Sequence, residues 1–283
     1  MKLENKKMKI IVYGSNGWIG KQFIELLTKN SVNYFEGKSR VDNEEDVIME
    51  INNYNPTHIV SFIGRTHGEN CNSTAYLEQK DKLMENIRDN LYGPFVLAEM
   101  SRRYNIHFTY LGTGGIFKNE MGDDYLFREK DKPNFFGTNY SVVKGFIDRM
   151  MNFYKNVLNL RISMPISSHS HPRNFITKLI KYDKIRNTSN SLTVLDELLP
   201  YILKMMKLKT VGTINMTNPG TITHNEILDM YNSIVDNSFE YKNFNPINQK
   251  TSSNHLDTER LTMMFPEIKD IKTSIRECLT KYN

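Results

Sequence analysis

The segment from Lys9 to Gly20 constrains the fold more than any other part of the chain. A short apolar run, Lys9–Tyr13, leads into Gly14-Ser15-Asn16-Gly17-Trp18-Ile19-Gly20. A helical pattern follows, with Ile19, Phe23, Ile24, Leu26 and Leu27 on one face. Glycines at this spacing, after a strand and before a helix, suit a dinucleotide-binding turn. Gly14 allows the tight turn, Gly17 lets a pyrophosphate approach the backbone, and Gly20 lets the helix pack close to the sheet. Asn16, Trp18 and Ile19 share that turn, where the free N–H groups of the helix N-terminus face a phosphate. Three glycines in an ordinary turn are the alternative.

The rest of the first half keeps the same rhythm. Strands are predicted at 32–35, at 58–63 after Asn55-Pro56, at 106–111 and at 158–162. Between them the pattern predicts helices at 44–54, a long one at about 74–104 bent near Gly93-Pro94, and one at about 136–154. Such alternation gives a parallel sheet with helices on both faces and right-handed crossovers. After Pro165 the elements shorten, with helices expected at 174–182, 194–207 and 224–235 and a strand at 213–216. The expected class is α/β, a Rossmann-type doubly wound parallel sheet over residues 1–165. A smaller C-terminal substrate lobe, 166–283, returns one strand to the sheet.

A chain of 283 residues, 39% hydrophobic and 24% charged, buries its core without disulfides or structural metal. It holds no run of about 18 apolar residues, so no membrane span is expected. The opening, Met1-Lys2-Leu3-Glu4-Asn5-Lys6-Lys7, lacks a signal-peptide core. Cys71 and Cys278 are lone thiols without metal-ligand spacing, which fits a reducing, cytoplasmic setting and no metal. His169 and His171 read as solvated loop histidines. The net charge of +5 comes from scattered clusters (Lys6-Lys7, Arg102-Arg103 and residues 204–209) with no aromatic-interleaved basic stripe. Nucleic acid is therefore not an expected partner, and a small anionic nucleotide is.

About twenty residues past the glycine turn stand Glu36-Gly37-Lys38-Ser39-Arg40. An acidic residue here binds the adenosine ribose of NAD, and basic ones hold the 2′-phosphate of NADP. Lys38, Ser39 and Arg40 against Glu36 favour NADPH, with NADH or a solvated turn as alternatives. Further on, Tyr140-Ser141-Val142-Val143-Lys144 places a phenol and an ammonium four apart on one helix face. A phenol titrates near 10 and is a poor acid catalyst, but a nearby cation lowers its pKa. Thr113, in Leu111-Gly112-Thr113-Gly114-Gly115, would hydrogen-bond the substrate oxygen that Tyr140 protonates. Asn90 either braces Lys144 from the long helix or has a purely structural place. The glycine turn, Thr113 and the Tyr/Lys pair, in this order, describe an extended short-chain dehydrogenase/reductase.

Longer segments carry a narrower resemblance. They are Phe62-Ile63-Gly64, the Tyr140 to Lys144 pentad, Met164-Pro165-Ile166-Ser167-Ser168 and Pro172-Arg173-Asn174-Phe175-Ile176-Thr177-Lys178. Thr193-Val194-Leu195-Asp196-Glu197-Leu198-Leu199-Pro200, Thr217-Asn218-Pro219-Gly220 and His224-Asn225-Glu226-Ile227-Leu228 join them. Together they resemble the bifunctional UDP-4-keto-6-deoxyglucose 3,5-epimerase/4-reductases, the last module of UDP-L-rhamnose synthesis. The resemblance covers nearly the whole chain. More distantly it is similar to dTDP-4-dehydrorhamnose reductase and GDP-fucose synthase.

The resemblance implies inversion at C3 and C5 through an enolate, then hydride transfer from NADPH to C4 with protonation by Tyr140. It adds Phe62, Gly64 and Pro165 to the cofactor site and gives Lys178 a part in epimerisation. The family's second epimerisation residue is a cysteine two positions after the threonine, and here that position is Gly115. A bound water, His67 or Cys71 would have to substitute, or epimerisation is impaired, or the chain is an altered variant. Arg173, Asn174 and Phe175 fit a nucleotide-diphosphate cradle. Thr193, Val194 and Asn254 line the nucleotide or sugar site or serve packing and capping. A separate UDP-glucose 4,6-dehydratase would supply the substrate, and a homodimer would form on the helices of Tyr140 and Asn90. The alternatives are a 4-keto reductase without epimerisation and a non-catalytic cofactor-binding regulatory subunit.

Overall fold

The computed structural model describes residues 7–120, 125–244 and 254–283. Lys6 of the first basic pair, with the rest of 1–6, lies outside the described residues. Alternation of apolar runs and amphipathic segments yields β1 (Lys9–Tyr13), α1 (Trp18–Lys29), β2 (Asn33–Glu36), α2 (Glu44–Tyr54) and β3 (His58–Ser61). A 3-10 turn (Thr74–Glu78), α3 (Leu83–Ile87), a π turn (Arg88–Tyr92) and α4 (Gly93–Arg103) follow. Next come β4 (His107–Thr113), α5 (Asn139–Met151), β5 (Val157–Ile162), α6 (Phe175–Leu179) and β6 (Ser189–Asn190). The chain closes with α7 (Leu195–Lys207), β7 (Gly212–Asn215), β8 (Ile222–Thr223), α8 (His224–Ile234), α9 (Glu259–Met264) and α10 (Ile271–Leu279).

Six strands form one parallel sheet in the order β2-β1-β3-β4-β5-β7. Strand order reverses at β1, and the crevice beyond the carboxyl ends of β1 and β3 is where such a sheet binds ligands. Central strands are apolar on both faces because both are covered. Val12, Val60 and Leu160 pack towards α1 and α7, whereas Ile11, Ile59 and Phe108 pack towards α2, α4 and α5. On α1, Phe23 and Leu27 are buried and the rest of its apolar face is half-buried. A separate core of Ile166, Ile176, Leu192, Ile222, Ile227 and Ile275 gathers α6, α8, α10 and the antiparallel β6–β8 pair. The second half thus returns β7 and α7 to the main layers. Among the described residues no helix is long and apolar enough to cross a membrane.

The single bent helix expected at 74–104 is instead two pieces, a 3-10 turn and a continuous helical run over 83–103 that contains the π turn. Gln79 is extended and Asp81 takes a left-handed φ of 64°, which ends the first turn. A proline inside a continuous α-helix forfeits the bond to the residue four earlier. The π turn at Arg88–Tyr92 comes just before Pro94 and takes up that mismatch within a backbone that stays helical from Leu83 to Arg103.

Candidate active site

The glycine turn is built by contact. Gly14 has φ +77°, and a Cβ there would lie 2.9 Å from the backbone of Phe62 and Ile63 beyond β3. A Cβ on Gly20 would fall 2.2 Å from the Gly14 carbonyl oxygen, so only glycine lets α1 come this close to the strand. The first turn of α1 has no side-chain cap and no acidic residue, which leaves its N–H groups and positive end free for an anion. This donor set fits a dinucleotide's pyrophosphate.

That helix end opens into a cleft of about 950 Å³. Gly17, Trp18, Ile19 and Gly20 form its floor, with Phe62, Gly64 and Asn90 on one wall. Thr113, Tyr140, Lys144, Pro165, Arg173 and Lys178 complete it. Thr66, which the sequence did not single out, also lines it, with Ile63, Leu111 and Met164, which entered only within longer segments. Met164 holds φ +37°, a strained conformation for a side-chain-bearing residue, at the edge where β5 turns into the cleft.

Thr113, Tyr140 and Lys144 are held from several elements. Thr113 ends β4, and its hydroxyl accepts the Gly115 N–H at 3.0 Å. Thr138 caps α5 by accepting the Ser141 N–H at 3.1 Å, and Ser141 Oγ donates to the Gly115 carbonyl at 2.7 Å. Glu78 accepts the N–H groups of Asn139 and Tyr140 at 3.0 and 3.3 Å, placing a carboxylate at the positive end of α5. Burial pushes the Tyr140 phenol up to about 12, against a hydrogen bond with Thr113 that works the other way. Burial pushes Lys144 down to about 7, opposed by Asp148 one turn on. The expected pairing, an ammonium that makes the phenol more acidic, is therefore outweighed in the free protein by loss of water around both groups. Lys144 Nζ instead donates to the hydroxyl of Tyr110.

A second pocket of about 690 Å³ adjoins the first and is lined by Ser39, Arg40, Arg65 and Arg88 together with Asp42 and Asp89. Asp89 sits 3.0 Å from Arg65 and from Arg88 and 3.5 Å from Arg40. Partial burial raises its pKa, but hydrogen bonds from Arg88 and Arg65 hold it below the usual carboxylate range. Arg65 and Arg88 come from segments with no motif; Arg65 was findable only as the residue following Gly64.

The arrangement can bind a dinucleotide along α1, hold a carbonyl oxygen between Thr113 and Tyr140, and set Lys178 beside it. No family model matches the chain. The crystal structure of the UDP-rhamnose synthase from Acanthamoeba polyphaga mimivirus is similar with a TM-score of 0.93 and 44% identity, over 97% of this chain and 99% of that one. The bifunctional dTDP-4-dehydrorhamnose 3,5-epimerase/dTDP-4-dehydrorhamnose reductase of Arabidopsis thaliana is 36% identical over 285 residues, 96% of this chain and 92% of its own length. The chain belongs to the nucleotide-sugar 3,5-epimerase/4-reductase family. It matches a trifunctional UDP-glucose 4,6-dehydratase/UDP-4-keto-6-deoxy-D-glucose 3,5-epimerase/UDP-4-keto-L-rhamnose-reductase of the same plant at 36% identity and spans 42% of that protein's length. A dTDP-4-dehydrorhamnose reductase from Bacillus anthracis, solved with NADP, shares the fold at a TM-score of 0.79 and 18% identity.

Several expected site residues are engaged otherwise than expected or lie outside the main cleft. Asn90 does not brace Lys144: its carboxamide is taken up by the Arg65 N–H and C=O at 2.9 Å each and by Asn86. Lys38 is exposed and outside both pockets; its backbone N–H donates to Glu50. Asn16 lines a neighbouring groove, not the main cleft. Asn174 caps α6 and donates to the carbonyls of Ser167 and His169. Phe175 packs on the His224 ring at 5.3 Å. Thr193 is buried between the Ser163 N–H and the Met216 carbonyl, and Val194 leads into α7. Asn254 is buried, bonded through its backbone to Asn190 and Ser191. Asn174 and Thr193 meet partners within the lobe and Phe175 and Val194 pack there, whereas the buried Asn254 Oδ1 has no hydrogen-bond partner among the described residues. His171, read as solvated, is half-buried and stacks on Trp18 at 5.3 Å and 4°. Gly115 lies beside Thr113, and a Cβ there would meet only the Thr113 hydroxyl, at 3.3 Å. His67 contacts the Arg173 guanidinium from the flank of the cleft, while the Cys71 thiol turns to Ser73 at 3.7 Å. Among the described residues no cluster of His, Cys, Asp or Glu could hold a metal.

Proposed function

We propose that the chain converts UDP-4-keto-6-deoxy-D-glucose to UDP-β-L-rhamnose with NADPH. The observation that carries this reading is the meeting of Thr113, Tyr140, Lys144 and Lys178 in one cleft at the free end of α1. Bound along the glycine turn, the reduced nicotinamide supplies hydride to the C4 carbonyl carbon. Tyr140 gives its phenolic proton to the C4 oxygen; pushed up to about 12, it carries that proton throughout the neutral range. Thr113 donates to the same oxygen and supports both the enolate of epimerisation and the alkoxide of reduction. Lys178 is the base: burial, then the neighbouring Arg173, lowers its pKa and enlarges its neutral fraction. Arg173 faces the diphosphate.

NADPH preference is read from Ser39, Arg40, Arg65 and Arg88 around the second pocket, where three guanidinium groups stand against the two carboxylates of Asp42 and Asp89 that pair with them and leave a net positive lining for a 2′-phosphate. The substrate is the product of a UDP-glucose 4,6-dehydratase activity, which the plant trifunctional relative's name prints beside the other two. Exposed Phe146 and Phe153, on and beyond α5, with Tyr92 beside α4, suit a homodimer on those helices. The free thiols Cys71 and Cys278 fit the cytoplasm. The lobe boundary falls at 165/166.

A second reading, 4-keto reduction without epimerisation, is favoured by Gly115, which offers no side-chain proton where the family carries cysteine. Turnover of UDP-4-keto-6-deoxyglucose with NADPH in deuterated water separates the two. We expect deuterium at C3 and C5 and a rhamno-configured product by NMR. A reduced product with protium at both positions would replace the first reading with the second.

A further inference from the structure

Lys144 is almost fully buried, and burying an ammonium demands acceptors. Among the described residues its side-chain hydrogen-bond partner is the hydroxyl of Tyr110, and Nζ also lies 4.6 Å from that ring's centroid. Tyr110 stands three residues before Thr113 on β4, wholly buried on the face that packs against α5. The carboxylate nearest in sequence, Asp148, is committed elsewhere: Arg161 grips it at 2.9 and 2.7 Å, and Asn159 donates to it at 2.8 Å. On the π turn the facing residue is the neutral Asn90, and Asp89 is turned to its three arginines. Tyr140, on the same helix face, is the remaining titratable neighbour.

A carboxylate partner would fix Lys144 as a cation. A phenol differs, because its oxygen accepts from an ammonium and its O–H donates to a neutral amine. Tyr110 therefore keeps Lys144 bonded in both protonation states, as a step that empties and refills the proton of Tyr140 requires. We propose that Tyr110 is a positioning residue for the reduction, holding the Lys144 amine from the central strand β4 on the helix face that Lys144 shares with Tyr140 and favouring its charged form. The proposal rests on the reductase reading for its kinetic consequence, but the bond itself is a property of the protein alone.

The Tyr110→Phe variant removes the hydroxyl and keeps the ring. A charge-assisted hydrogen bond is the stronger of the two that Tyr110 offers, so its loss disfavours the ammonium. Since the phenolate left on Tyr140 needs that charge, the alkaline limb of the kcat profile should move to lower pH by about one unit, roughly tenfold in rate on that limb. The acid limb should stay in place. An unmoved profile, or an equal loss at every pH, overturns the proposal. Independently of turnover, ζ-15N-lysine NMR, assigned with Lys144→Met, should show the Lys144 signal titrating near neutral in the parent and about one unit lower in Tyr110→Phe. If the variant does not fold, the parent decides: a Lys144 side chain with no nuclear Overhauser contact to the Tyr110 ring rejects the proposal. A parent that reduces no keto sugar yet gives the neutral titration would reject the functional reading and leave the role of Tyr110 standing.

Discussion

Gly20 shows how a single residue type can decide a site. With its missing Cβ 2.2 Å from where the Gly14 carbonyl stands, any larger residue must push α1 off the strand. Gly20→Ala should cost about 1–3 kcal/mol of stability by overpacking. It should also weaken binding of a nicotinamide coenzyme roughly tenfold or more, since each decade is only about 1.4 kcal/mol and the N–H donors at the turn move with the helix. Denaturant midpoints and coenzyme titration check both, and unchanged coenzyme affinity would show that the turn does not cradle the phosphates. Residues of this sort were legible because their chemistry follows from local spacing: the glycines around one turn, Tyr140 and Lys144 on one helix face. Asn90, Asn174 and Thr193 were not, because the atoms that satisfy them, such as the Arg65 backbone or the Met216 carbonyl, lie far away in sequence or around a bend the pattern does not reveal. Tyr110 escaped notice for a related reason, since only the observed packing of β4 against α5 brings it under Lys144.

Helix α5 is aimed by its first turn. Thr138 caps it, Glu78 receives two of its N–H groups, and Ser141 ties it to the loop after Thr113, so the phenol and the threonine are set by one small network. Thr138→Ala should cost about 1 kcal/mol, the usual value of such a cap, and lower kcat more than it changes coenzyme affinity. A lower melting temperature with unaltered kcat would separate the cap from the aim of Tyr140. Strands and longer helices were readable from periodicity to within a few residues. The β6–β8 pair was not, for two-residue strands have no period, and the six-residue α9 is too short to show one, whereas α10 was overlooked although Asp270 caps it and Ile271, Ile275, Cys278 and Leu279 share one face. The π turn was invisible for a different reason: its cause is Pro94, but a proline equally announces a kink or a helix start.

Across the whole molecule, two buried histidines join the main sheet to the second half of the chain. His58 on β3 meets the Met206 carbonyl at 3.0 Å, and His107 on β4 meets that of Thr210 at 2.7 Å. Burial, and then the nearby His107, lowers the pKa of His58 from 6.5 to about 4. The unfolded chain therefore takes up a proton, as pH falls from about 6.5 towards 4, that the folded chain refuses, so stability drops over that window. The loss should be on the order of 2 kcal/mol, read from denaturant midpoints at pH 7 and pH 5, and His58→Gln should flatten it. Equal pH sensitivity in parent and variant would place the effect elsewhere. The sheet that these histidines secure was legible as a class from its alternating elements, whereas their own contacts join positions more than a hundred residues apart. Trp18, the one tryptophan of the chain, lies at another such seam, stacked on His171 at the mouth of the cleft. Its intrinsic fluorescence therefore comes from that junction alone, and the unlabelled protein carries its own optical gauge of whether the two halves have drawn together.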